Sequence, residues 1–166
     1  MIDTQKHAAL LEAYRGIPER IHAAIAGLGA ADLDLARAPG AWTIRHIVLH
    51  LADSDMLGTV LMRAALGNSG CTFDLGWYTP DNRWAETLEY ARRPVEPALA
   101  LIAANQAHVQ EILERLAPSW ERHLFLKRDA TREPVRISVA QLLDLHVNHL
   151  SHHIGQIRAT RDVHGR

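Results

Sequence analysis

Ser138-Val139-Ala140-Gln141-Leu142-Leu143-Asp144-Leu145-His146-Val147-Asn148-His149-Leu150-Ser151-His152-His153-Ile154-Gly155-Gln156-Ile157 is the run that sets the architecture. Ser138 followed three residues later by Gln141 has the form of a capping box, in which each side chain satisfies the other residue's free backbone N–H. The helix it opens should continue to about Arg161. On a helical wheel His146, His149, His153 and Gln156 fall within one quarter of the circumference, on the side that also carries Leu142, Leu150 and Ile157. Residues four apart stack on one face, with β-carbons roughly 5–6 Å apart. His149 and His153 can therefore offer two imidazoles to one metal ion. His152 lies about 100° round from His153 and cannot easily share that direction.

Three further segments carry the same periodicity. From Thr4 to Leu28, Leu10, Leu11, Tyr14, Ile17, Ile21 and Ile25 recur at threes and fours, with Pro18 predicting a kink or brief break. A second helix should start after Thr43, a good N-cap, and run to about Leu66. The linker from Gly67 to Pro80 is long for a compact domain, and such linkers are often functional. Asp81 then caps a short helix reaching Glu89. A third long helix spans about Val95 to Leu116, with Pro94 and Pro97 near its start, where proline is tolerated. His123–Lys127 and Pro134–Ile137 are expected to form a small hairpin around Asp129-Ala130-Thr131-Arg132. The prediction is an all-α four-helix bundle with long connections, in one domain over residues 1–166.

Composition narrows the function classes. Hydrophobic residues make up 48% and charged residues 22%, as in ordinary globular chains. A formal net charge of -1 provides no basic field for nucleic acid or an anionic membrane surface. Cys71 is the single cysteine, so no intrachain disulfide can form and a reducing compartment is expected. Met1-Ile2-Asp3-Thr4-Gln5-Lys6-His7 lacks a signal-peptide pattern, and no apolar run reaches the roughly 18 residues of a membrane span. The expectation is a cytoplasmic, soluble protein acting on a small molecule. Histidine is the compositional outlier, with 11 copies spread along the chain rather than gathered in a tag.

The second helix contributes His46 and His50, also four apart. His50 shares its face with Ile47, Leu57 and Leu61 and should be the more buried; a buried neutral histidine needs a hydrogen-bond partner or a metal. Asp53, one turn on, can accept a hydrogen bond or orient water, or else stand as an exposed carboxylate beside Asp55. With so many histidines, about one pair at this spacing arises by chance, so spacing alone does not make a metal site. Trp77, Tyr78, Arg83 and Trp84 are candidates for the mouth of a binding pocket, or simply pack the long linker onto the bundle. Cys71 has no histidine beside it to activate a thiolate and reads as a bystander.

Several stretches together resemble the DinB-like superfamily, and within it the YfiT-like proteins described as metal-dependent hydrolases. They are Trp42-Thr43-Ile44-Arg45 leading into His50-Leu51-Ala52-Asp53-Ser54, then Pro80-Asp81-Asn82-Arg83-Trp84-Ala85-Glu86, and finally His149-x-x-His152-His153. The likeness covers nearly the whole length and implies a four-helix bundle, commonly a homodimer. It also implies that His50, His149 and His153 bind a divalent metal, zinc or nickel, with water in the remaining position. His46, Asp53 and Gln156 are then the candidates to hold the ligand histidines in place.

The function this implies is hydrolysis by a metal-activated nucleophile. A second possibility is an S-transferase or isomerase using a low-molecular-weight thiol such as bacillithiol, mycothiol or glutathione, which coordination would hold as thiolate. A third is a metal-stabilised dimeric bundle without turnover. No glutamate stands beside the histidines as in His-Glu-x-x-His proteases, which counts against peptide hydrolysis.

Overall fold

The computed structural model describes residues 4–129 and 131–166; Met1, Ile2, Asp3 and Ala130, the last in the expected hairpin turn, lie outside it. The first helical arm divides into α1 (Thr4–Arg15) and α2 (Ile17–Ile25). The break falls at Gly16, ahead of Pro18, because proline fits within the first turn of a new helix, where its missing N–H has no partner to lose. The second arm, α3 (Ile44–Gly67), opens on Thr43, whose hydroxyl accepts the backbone N–H of His46 at 3.3 Å. Asp81 caps α4 (Asn82–Thr87) by accepting the Trp84 N–H at 2.9 Å. The last two arms are α5 (Glu96–Arg115) and α6 (Val139–His164), and both bonds of the Ser138–Gln141 capping box form. No helix among the described residues is long and apolar enough to cross a membrane.

The expected hairpin is present. Strands β2 (His123–Lys127) and β3 (Val135–Ser138) pair antiparallel, with Leu124 opposite Ile137. A third strand, β1 (Thr72–Asp74), lies inside the stretch expected to be pure linker and runs parallel to β2, with Phe73 beside Leu126. Three residues in a glycine-rich segment carry no alternation to read, and the partner strand lies far along the chain.

Around the bundle, the α1–α2 arm packs on α5 and α6, and α3 packs on the same two helices. Sequential arms one and two therefore stand diagonally, as do arms three and four. Short loops would force neighbours to pair; the long connections 26–43 and 116–138 allow the chain to cross over instead.

Two apolar clusters form the core. One gathers Ile17, Ile21, Ile47, Leu51, Ile102, Leu150 and Ile154; the other gathers Tyr14, Met62, Val109, Leu113, Trp120, Leu124 and Leu143. Between them lies a stratum of buried polar side chains, Asp55 on α3, Gln106 on α5 and His146 on α6. Buried polar groups persist only where hydrogen-bonded or used, so this stratum marks where function can sit.

Candidate metal centre

Helices α3 and α6 run antiparallel, since His50 meets His149 while Asp55, further along α3, meets the earlier His146. At the first of these levels His50, His149 and His153 each bring a ring nitrogen within 4.8 Å of the other two. His50 Nε2 and His149 Nε2 are 3.2 Å apart. Ring centroids are separated by 5.3 Å for His50–His149, 4.7 Å for His50–His153 and 4.6 Å for His149–His153. Trp42 walls the cluster, its ring meeting His50 edge-on at 4.9 Å and stacking toward His153 at 6.5 Å. Its indole N–H donates to Asn82 Oδ1 at 2.7 Å, which ties this wall to α4.

Burial holds all three rings neutral. It pushes His50 down to about 3 and His149 down to about 4, with the neighbouring imidazoles adding to both shifts. Burial lowers His153 as well, partly opposed by its hydrogen bond to Gln156. Neutral imidazole is the form that binds metal. The donor set passes a second test: His50 is 3% exposed, no carboxylate takes part in the cluster, and its Nδ1 is buried without a partner. Zinc–nitrogen bonds of about 2.0–2.1 Å place tetrahedral donors roughly 3.4 Å apart, close to the His50–His149 separation. Three converging, unprotonated nitrogen donors suit a divalent cation.

Gln156 reaches this cluster directly. His153 Nδ1–H donates to Gln156 Oε1 at 2.8 Å, which leaves His153 Nε2 for the shared space. The Gln156 amide then turns its N–H toward His152 Nε2 at 3.2 Å, so exposed His152 stays outside the cluster.

His46 and Asp53 must be reassigned. The His46 ring folds back on its own helix start, with Nδ1 2.7 Å from Thr43 Oγ1. Asp53 faces α4 and the turn after it: its carboxylate accepts the Trp84 indole N–H at 2.9 Å and the Tyr90 hydroxyl. Burial and this carboxylate raise the Tyr90 phenol above its ordinary value, so it stays a donor. Neither His46 nor Asp53 orients a clustered histidine; one rounds off α3 and the other fastens α4 to it.

Of the expected pocket-mouth residues, Tyr78 lines the cavity beside the cluster, while Trp77, Arg83 and Trp84 land elsewhere. Arg83 and Trp84 line a separate surface hollow with Thr79 and Leu88, and Trp77 is largely exposed against Trp84. The cavity that reaches the cluster is one of about 310 Å³ between α3, the sheet and α6. His149 and His146 line it together with Gly58, Tyr78, Leu126 and Arg128. A second hollow of about 250 Å³ approaches from the other side through Arg37, Trp42, His153 and Gln156. A larger cavity of about 400 Å³ beneath His7 and Trp120 contains none of the clustered histidines.

Asp55, named from the sequence only as the neighbour of Asp53, is 0% exposed. It accepts His146 Nε2–H at 3.1 Å, Gln106 Nε2–H at 3.1 Å and Asn105 Nδ2–H at 3.2 Å. The signal was available, because Val48, Leu51, Asp55, Met62 and Leu66 follow the three-and-four spacing of a buried helix face.

Fold and site together define a helical bundle with a histidine cluster, suited to a divalent metal, between two facing arms. The chain belongs to the DinB superfamily, whose family model matches residues 13–157. Among its curated relatives is a Geobacillus thermodenitrificans protein, 28% identical over 93% of this chain and 84% of its own length. YfiT of Bacillus subtilis is 27% identical over 85% of this chain and 76% of its own. Both are named for a proposed metal-dependent hydrolase activity. The solved structure of Bacillus subtilis YfiT, described as a probable metal-dependent hydrolase with an unusual four-helix bundle topology, matches with a TM-score of 0.86. That alignment has 23% identity and covers 99% of this chain and 91% of the other, a likeness of fold.

Proposed function

We propose that this chain is a metal-dependent hydrolase of small molecules in which His50, His149 and His153 hold a divalent ion. The observation that carries the reading is the convergence of three neutral imidazole nitrogens, from two facing helices, within 4.8 Å at the end of a cavity. The names of the relatives agree with it. Zinc or nickel suits imidazole donors, and a three-protein-ligand set is that of a catalytic rather than a closed structural centre. Such an ion supplies Lewis acidity and makes water acidic enough to ionise near neutral pH. The chain's own part is to orient and exclude: Gln156 fixes the His153 ring, and Trp42 shields His50. Leu61, Leu75, Leu126 and Leu142 give the cavity apolar walls that take the body of a small substrate.

The test begins with elemental analysis of untagged protein beside His149→Ala. Stoichiometric zinc or nickel in the first and its loss in the second is the expected result. A panel of 4-nitrophenyl esters, offered with and without glutathione or bacillithiol, then reads the chemistry. Thiol-independent cleavage supports hydrolysis, while turnover that requires thiol replaces it with the S-transferase reading. Absence of metal defeats both. The homodimer implied by the resemblance belongs to the same proposal and is read by light scattering.

A further inference from the structure

The buried stratum holds one side chain that the hydrolase reading leaves unused. His146 lies one turn before His149 on α6, lines the same cavity and is 7% exposed. Its Nε2–H is spent on Asp55, which α5 holds from the far side through Asn105 and Gln106. Its other nitrogen, Nδ1, has no partner among the described residues, yet it is not one of the sealed, unpartnered atoms of the core.

Gly58 makes room for the edge of the ring that carries that nitrogen. A Cβ built on Gly58 would lie 2.5 Å from His146 Nδ1 and 2.6 Å from Cε1, far inside contact distance. Any side chain there would push the ring away and take up space in the cavity that Gly58 and His146 both line. Glycine inside a long helix carries an entropic cost, so its presence opposite this nitrogen is informative. A purely structural histidine would have both nitrogens satisfied or enclosed. This ring instead has a carboxylate behind it and a cavity before it, the arrangement that fixes an imidazole as a proton acceptor. The other groups facing it are Tyr14 on α1, with ring centroids 6.0 Å apart, and His149 on its own helix; Arg128 enters the cavity from the hairpin.

We propose that His146 is the general acid–base of this site and Asp55 the positioning residue that aims it, an inference resting on the hydrolase reading. In ester cleavage, Nδ1 takes a proton from the attacking water as its oxygen bonds the acyl carbon. The carbon–oxygen bond to the leaving alcohol then breaks, and Nδ1–H returns the proton to the departing oxygen. One water is consumed, and one acid and one alcohol are released.

The experiment uses the full chain labelled with ¹⁵N-histidine, with and without Zn²⁺, and long-range ¹H–¹⁵N NMR. His146 is expected as the Nε2–H tautomer. Phenol, a proton donor small enough for the cavity, should shift its Nδ1 resonance saturably, and Gly58→Ala should abolish the shift. An Nδ1–H tautomer overturns the proposal, as does an Nδ1 signal that phenol leaves unmoved, whether or not Leu126 methyl signals show phenol inside. With 4-nitrophenyl acetate, His146→Gln should lower kcat about 100-fold or more while metal content is retained. An unchanged kcat in that variant overturns the role. Failure of the wild-type chain to cleave any ester defeats the hydrolase reading, while the NMR result separately decides whether His146 offers the cavity an open base.

Discussion

Two levels of the α3–α6 contact, about a turn apart, treat histidine in opposite ways. At one level Asp55 is fully buried and accepts three hydrogen bonds, so His146 is anchored on one side by a carboxylate with donors of its own. At the other, His50, His149 and His153 face one another with no carboxylate among them, and His50 keeps a buried nitrogen without a partner. The first level supplies its carboxylate with partners from within the protein. The second has no carboxylate to draw on and gains most from something brought in from outside.

Removing the carboxylate at the centre of the first level should have the largest effect. Asp55→Ala leaves His146, Gln106 and Asn105 without their shared acceptor and should cost about 3–5 kcal/mol in urea unfolding. His50→Ala sharpens the contrast, because it should cost the metal-free protein less than Asp55→Ala while weakening Zn²⁺ binding more than 100-fold by calorimetric titration. A cost equal to that of Asp55→Ala, with zinc affinity intact, would erase the distinction between levels.

Acid provides a third probe. The unfolded chain protonates its histidines below about 6.5, whereas burial holds His50 down to about 3 and His149 down to about 4 in the folded, metal-free protein. Between these limits the unfolded state binds more protons, so stability falls as pH drops from about 6.5 toward 4, and above 6.5 this contribution is absent. Denaturation midpoints measured across that window should slope downward with acid, and the slope should be shallower in His50→Gln. The smallest effect belongs to Gln156→Ala, which frees the His153 ring and should weaken zinc binding about tenfold without a comparable loss of fold stability.

What the sequence made legible follows from how local each cause is. Capping at Thr43, Asp81 and Ser138 is written within four residues of the helix start, and all three caps form as expected. The facing of His149 and His153 is likewise a one-helix property. Strand β1 was illegible because three residues pair only when β2 is supplied from the other half of the chain. Asp53 and Asp55 show the harder case: two carboxylates two residues apart on one helix, pointing to different neighbours. Only the arrangement of α4 and α5 around α3 sends the first to Trp84 and the second to Gln106. His46 failed for a nearer reason, since its own cap hydroxyl captured the ring.

The diagonal ordering of the arms governs when the site can exist during synthesis. His50 and His149 are separated by 99 positions, and the last helix supplies two of the three clustered rings. A nascent chain emerging from the ribosome would present His50 without His149 and His153 until α6 is made and docked. Assembly of the three-ring cluster is thereby deferred until the helix carrying two of its members has been made.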